Sequence, residues 1–355
     1  MLNIKITKLP KSEIEIEAEL EAAVFENYFS EAIKRLGENM ELDGFRKGKV
    51  PENVLLKNIP EIQILEEMAN LAINEHYPKI ITGEISGDKI DAIGRPEVSI
   101  TKLARKNPLC IKIKTAVVPE IKLPDYKQIA KDILSNITDT EKNVEVSPLD
   151  VENTIMDIRK SRAAKKHVAD RSAGDKHTEN QEPELPEFND EFVKALGPFE
   201  NVEDFKDKLK INLKLEKENQ LKEKTRLKMI EKIIDDSTIE MPEVLISMEL
   251  DKILYRMESD ITTMGLKFDE YLKHINKTVE DLRKEFRNDG EKKAKLALIL
   301  HEIAKIEKIV ADEEEIIKEV DELLKHYKEA DPERAKMHAE NVLINEKIFR
   351  FLESQ

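Results

Sequence analysis

Apolar and polar residues alternate strictly at the start of the chain. Leu2, Ile4 and Ile6 lie against Asn3, Lys5 and Thr7; Ile14, Ile16, Ala18 and Leu20 repeat the alternation against Glu13, Glu15, Glu17 and Glu19. A period of two is that of a strand with one solvated face, and Leu9-Pro10-Lys11-Ser12 supplies a turn, so residues 2–20 predict a β-hairpin. The period then lengthens. Val24, Tyr28, Ala32 and Leu36 are spaced by four and predict one helix that ends near Gly37–Met40. A second helix is expected from Pro51-Glu52 and a third from Glu61 to about Tyr77, before strand patterns return at 97–101 and 110–118. Residues 1–116 thus read as an α+β domain with one loop, Gly44 to Pro51, between its first two full helices.

Pro119 to Pro124 reads as an extended connector, because proline restricts itself and the residue before it. Ser147 as N-cap, Pro148 at the first helical position and Asp150 in the first turn predict a helix with the stripe Val151, Ile155, Ile158. The stretch 163–183 (AAKKHVADRSAGDKHTENQEP) holds one Val and no other large apolar residue. It cannot bury enough surface to offset its ordering entropy and is expected to be a flexible linker with a helical start. From residue 184 the pattern is helical almost to the end. The expected helices are Asp204–Asp236; one opening at Met241-Pro242 with the stripe Leu245, Met248, Ile253, Met257, Ile261, Met264 and Gly265 as its stop; Phe268–Ile275; Thr278–Asn288 with a capping box of Thr278 and Asp281; Glu291–Val310; Asp312–Lys328; and Pro332–Phe351. The expected fold class is an α+β N-terminal domain followed by an elongated, mostly α-helical C-terminal domain. Its divisions are 1–116, a connector and first helical part at 117–162, the linker 163–183, and 184–355.

Composition agrees with this and excludes much else. The 355 residues are 37% charged with a net charge of −15, and Trp is absent. No stretch approaches the ~18 apolar residues of a membrane span, and the N-terminus has no secretory h-region, so a cytoplasmic protein without membrane attachment is expected. Cys110, the one cysteine, sits in an alternating stretch and reads as a strand residue. Phosphate-binding glycine motifs are missing. His301-Glu302 has Lys305 where a second zinc ligand would stand, and Glu313-Glu314-Glu315 reads as a solvated helix start. No cofactor and no metal are expected.

Gly44 to Pro51 (GFRKGKVP) is different. Gly44 and Gly48 permit a tight backbone path, and Pro51 sets the start of the next helix. Phe45 is a large apolar anchor, while Arg46, Lys47 and Lys49 are donors for phosphate or carboxylate. By itself such a segment is also a solvated turn with its Phe tucked under the helices. The pattern Gly-Phe-Arg-x-Gly-x-x-Pro between two helices resembles the ribosome-docking signature of the trigger factor family, with Gly44, Phe45, Arg46, Gly48 and Pro51 matching in type and spacing. VVPEIKLPDYKQI (Val117 to Ile129), LPEFNDEFVKALG (Leu185 to Gly197), MPEVLISMELDKIL, GLKFDEYLK (Gly265 to Lys273) and KLALILHEIAKIEKI (Lys295 to Ile309) extend the resemblance through nearly the whole chain.

The resemblance implies a ribosome-binding N-terminal domain, a client-binding helical C-terminal domain, and an ATP-independent chaperone that holds nascent chains at the exit tunnel of the large ribosomal subunit. It implies contacts of Gly44, Phe45, Arg46, Lys47, Gly48, Lys49 and Pro51 with a ribosomal protein and rRNA, unfolded nascent polypeptides as clients, and a homodimer as an option off the ribosome. The family also carries a prolyl-isomerase domain of the FK506-binding type. Residues 163–183 are too few and too polar to form one, since a domain takes on the order of 50 residues or more, so its catalytic residues have no positions here and no enzyme activity is expected. Met229, Met241, Met248, Met257 and Met264 suit an adaptable client surface, and equally suit a core. A prolyl isomerase by family analogy, and a helical interaction or RNA-binding protein without chaperone activity, are the alternatives.

Overall fold

The structure is a computed structural model. It describes the chain apart from residues 1, 42–44, 46, 47, 49, 138–144, 173–184 and 328, and gives backbone alone for residues 39 and 164–172. The strands are β1 Leu2–Leu9, β2 Glu13–Leu20, β3 Ala92–Lys102, β4 Leu109–Val117, β5 Ile121–Lys122 and β6 Thr238–Ile239. The helices are α1 Ala22–Glu26, α2 Phe29–Asn39, α3 Glu52–Asn58, α4 Glu61–Ile81, α5 Tyr126–Ser135, α6 Pro148–Ser172, α7 Asp190–Lys194, α8 Val202–Asp236, α9 Glu243–Thr263, α10 Phe268–His274, α11 Val279–Glu285, α12 Arg287–Glu307, α13 Glu313–His326 and α14 Pro332–Glu353. Two compact units result, each drawn from two stretches: Met1–Leu123 with Asp236–Lys308, and Pro124–Asp235 with Ile309–Gln355. The sequence divisions mark changes of composition, whereas these units mark which stretches pack together.

In the first unit, β1, β2, β4 and β3 form an antiparallel sheet in that order. The period of two decides its faces. Ile14, Ile16, Ala18 and Leu20 on β2 and Leu109, Ile111 and Ile113 on β4 are buried beneath α1–α4. The intervening charges pair across the other face, with Lys112 Nζ 2.7 Å from Glu17 and Lys114 Nζ 2.7 Å from Glu13. α4 adds Ile64, Leu65, Met68, Ala69 and Ala72 to this core.

Two expectations for the helices on this sheet need correction. The helix predicted through Val24 to Leu36 is two helices. At Asn27 and Tyr28 the backbone N–H groups reach back only three residues, to the carbonyls of Val24 and Phe25, and the Tyr28 hydroxyl donates to Glu75 Oε2 at 2.7 Å. Burial, then the Glu75 carboxylate, pushes the Tyr28 phenol up. α2 ends at Asn39 with Met40 as its C-cap, within the Gly37–Met40 range expected. α4 passes Tyr77 and Pro78 to Ile81: Pro78 costs one hydrogen bond of the helix ladder, and the almost wholly buried Ile80 holds the last turn against the core.

The remaining helices of the unit, α9–α12, have cores of their own: Met241, Ile246, Leu250 and Ala294, and then Leu254, Leu272 and Leu282. The α9 stripe read from sequence holds in part: Ile261 is buried, and Leu245 and Met257 pack against these cores. The helix buries Ile246, Leu250, Leu254 and Ile261, and leaves Met248 and Met264 exposed. Apolar residues occupy two of its faces, and the packing partner chooses between them. Gly290 of α12 admits Leu250 so closely that a Cβ there would lie 3.1 Å from its Cγ. α11 ends at Glu285 and α12 starts at Arg287, four residues before the predicted Glu291. The Thr278–Asp281 capping box is present in full, at 3.2 and 3.0 Å, and Gly265 follows α9 with φ +81°.

In the second unit, Ser147 caps α6 as predicted, exchanging bonds with Asp150 at 2.9 and 3.2 Å. Ile155, Val193 and Phe205 join α6, α7 and α8, with Phe188 and Phe199 edge-on to Phe205 at 5.9 and 4.9 Å. α6 continues to Ser172, so the first part of the 163–183 stretch is helical, and the rest lies outside the described residues. α5, capped by Asp125, was not predicted. α14 packs on α5 and α13, and Arg226 of α8 reaches Glu346 and Glu353 of α14.

Candidate functional site

The Gly44–Pro51 loop leaves α2 and enters α3, and both ends are anchored in the sheet domain's core. Leu36 and Met40 at the end of α2, and Val50 just before α3, are half-buried against it; Leu55 and Ile59 are buried within it. Gly37 is what lets α2 and α3 approach. A Cβ at Gly37 would sit 2.5 Å from Leu55 Cδ1, so sequence reading that treats this glycine as a helix stop misses its packing role. A glycine inside a periodic apolar pattern is the signal that could have found it. Gly37→Val should destabilise the domain by about 1–3 kcal/mol through overpacking, seen as a lower urea midpoint with an unchanged m-value.

Of the loop residues named from sequence, the structure places three. Phe45 is 41% exposed, not tucked beneath the helices. Gly48 has φ +72°, a backbone that L side chains rarely adopt, and lies over the end of α2, where a Cβ would be 3.7 Å from the Glu38 carbonyl oxygen. Pro51 is extended, with φ −63° and ψ 145°, and stands at the N-cap position of α3. Gly44, Arg46, Lys47 and Lys49 lie outside the described residues. The neighbouring apolar Leu56 and Ile62 are exposed on α3 and α4.

Elsewhere the exposed apolar side chains are many and dispersed. On and after α9 they include Met248, Tyr255 at 73% and Met264 at 78% exposure, and Leu266; Ile211 and Leu215 are exposed on α8. Met229 and Met241 are buried core residues. Among them the flexible Met248 and Met264 side chains can adapt to differently shaped contacts. Among the described residues no three His, Cys, Asp or Glu side chains converge as a metal site, and no helix is long and apolar enough to cross a membrane.

Comparison with known proteins agrees on one family. Residues 2–158 match the model for bacterial trigger factor protein, and residues 201–349 match the model for the trigger factor C-terminus. A trigger factor of Clostridium botulinum (strain Hall) is 23% identical, with 99% of this chain and 98% of the relative covered. One of Clostridium beijerinckii is 24% identical, with 94% and 93% covered. The first alignment runs over 426 positions, at least 71 more than the 355 residues of this chain. A solved structure of the trigger factor chaperone shares the fold, with a TM-score of 0.56 and 18% identity over 99% of both chains. Residues 159–200 fall between the two matched models, and the described ones belong to α6, α7 and the aromatic core they share with α8. With both family models matched over most of its length, the chain belongs to the trigger factor family.

Proposed function

We propose that this protein is an ATP-independent, ribosome-associated chaperone of the cytoplasm. It docks beside the exit tunnel of the large subunit through the Gly44–Pro51 loop and holds unfolded nascent chains on its helical surfaces. The observation that supports docking is the exposed Phe45 on a loop whose two ends are fixed in a rigid core. An aromatic beside Arg46 on a pre-organised support has the composition of an interface hot spot. Arg46 pairs with an acidic side chain or a phosphate, and Lys47 and Lys49 add phosphate contacts.

Charge is partitioned to suit. The first 116 residues hold 17 Lys and Arg against 19 Asp and Glu, close to neutral, so nearly all of the net −15 lies in the remainder. The docking domain can approach rRNA, while the rest is repelled by it and stays clear. The expected result is nucleotide-independent suppression of aggregation of a denatured client, with proline-limited refolding running at its uncatalysed rate. A client that aggregates as fast with the protein as without it would exclude holding. Faster proline-limited refolding would favour the isomerase reading.

A further inference from the structure

Within the second unit, the end of α5 and the middle of α8 bound a recess of about 120 Å³. Ile133 of α5, Ile137 just past its end and Leu221 of α8 give it apolar walls, and Asn136, Lys224, Thr225 and Lys228 complete them. Thr225 is buried, and its hydroxyl donates to the Leu221 carbonyl at 2.8 Å, so its donor is spent within the helix. Both lysines are exposed and stand at the rim.

Helical spacing explains why both reach it. Lys224, Thr225 and Lys228 follow Leu221 by three, four and seven residues, so all four share one face of α8, the face that meets the recess. A face turned to a neighbouring helix is ordinarily apolar, and two lysines there break the local rule, as functional sites do. They break the pairing pattern too. Lys208, Lys214, Lys217 and Lys222 of the same helix each have a carboxylate within 3.9 Å. Among the described residues, Lys224 and Lys228 have none at ion-pair distance, in a chain with 74 acidic residues against 59 Lys and Arg. No described acid lines the recess, and the carboxylate of Asp132, next to Ile133, is engaged by Gln128 at 2.7 Å.

We infer that this recess is a binding site for a carboxylate that carries a short aliphatic group. The aliphatic group lies against Ile133, Ile137 and Leu221, and the carboxylate accepts charge-assisted hydrogen bonds from Lys224 and Lys228. A dry cavity of roughly 150 Å³ takes a benzene, so this one suits a leucine side chain or a hexanoate tail and is too small for a long acyl chain. The carbonyl end of α5 offsets part of the lysine charge, which favours a singly charged carboxylate over a phosphate dianion. Two sources carry this chemistry: a free carboxylic acid, and the last residue of a polypeptide. The inference does not rest on the docking or the holding reading.

It is tested by nuclear magnetic resonance on the full chain with isotope-labelled isoleucine methyls. Sodium hexanoate should give saturable shifts at Ile133 and Ile137. Hexanamide, of the same shape without the charge, should bind about tenfold more weakly, and hexyl phosphate no better than hexanoate. Lys224→Gln/Lys228→Gln should lose the response with the thermal melt unchanged. Ile133→Trp, which fills the recess and keeps both lysines, should block it as well. A peptide ending in a free leucine that binds more tightly than hexanoate, while its C-terminal amide does not, identifies the chain end as the source; the reverse order identifies the free acid. Hexanoate shifts that do not saturate, that persist in the double lysine variant, or that hexanamide reproduces at equal concentration overturn the site. Tighter binding of hexyl phosphate overturns the assignment to a carboxylate.

Discussion

Replacing Phe45, Arg46 and Lys47 together with alanine should abolish co-sedimentation with ribosomes at concentrations where the parent pellets fully. Phe45→Ala alone should weaken binding by about 30-fold, the effect of removing an anchor worth roughly 2 kcal/mol. The reason is local. Phe45 is exposed while the residues on either side of its loop are pinned, through Met40 and Val50, to the sheet domain's core. Little ordering entropy is lost when such a loop binds, so its contacts count nearly in full. The cations act through a different dependence. Arg46→Ala should lower the slope of log affinity against log salt by about 1 if Arg46 meets a phosphate, and leave it nearly unaltered if it meets a buried carboxylate. The thermal melt should not change, because Phe45 is outside the core. A triple variant that pellets like the parent would end the docking proposal and leave the holding activity to be judged separately.

Much of the fold was legible because its periods are clean. β2 alternates without a break, and one residue of slip would have put four glutamates in the core. The caps at Ser147 and Thr278 were readable because capping is local chemistry, carried by residues three apart. What failed to be legible depended on partners distant in sequence. The buried face of α9 could not be chosen from its own residues, since Leu245 and Met248 are as apolar as Ile246 and Leu250; Gly290, forty residues on, chooses it. The break at Tyr28 rests on Glu75, and α4 runs past Pro78 because the sheet domain's core holds Ile80. In the candidate site, the motif residues were legible as chemistry, and the support beneath them, Gly37 against Leu55, was not. Nor does a linear reading reveal that α9–α12 pack into a unit with the first 123 residues.

The largest stability loss in the second unit should follow Arg226→Met. Arg226 is 8% exposed, and its guanidinium donates to two carboxylates of α14: 2.7 and 3.0 Å to Glu346, 2.6 and 3.3 Å to Glu353, with the Phe349 ring 4.9 Å away. Methionine fills much the same space but leaves two neighbouring glutamates without their buried counter-charge. Breaking a buried pair from one side costs about 3–5 kcal/mol; both glutamates here are partly solvated, which brings the expectation to about 2–3 kcal/mol, or roughly 5–10 °C in Tm for a unit of this size. Arg226→Lys should recover only part, because a single ammonium cannot serve four carboxylate oxygens in a fixed fork. Acid gives the sharper check. The Arg226 hydrogen bonds, opposed by burial and joined by Arg350, hold the Glu346 carboxyl at about 2. A carboxyl depressed in the folded state stabilises fully above its unfolded pKa of about 4.3 and loses that contribution as pH falls toward the folded value. The gap in stability between parent and Arg226→Met should therefore be widest above pH 5 and narrow steadily between about pH 4.5 and 2. Arg226→Met/Glu346→Gln/Glu353→Gln, which removes the stranded charges, should melt closer to the parent than the single variant does. A gap that stays constant with pH would mean that the loss comes from packing against Phe349 and not from the ion pairs that fasten α14 to α8.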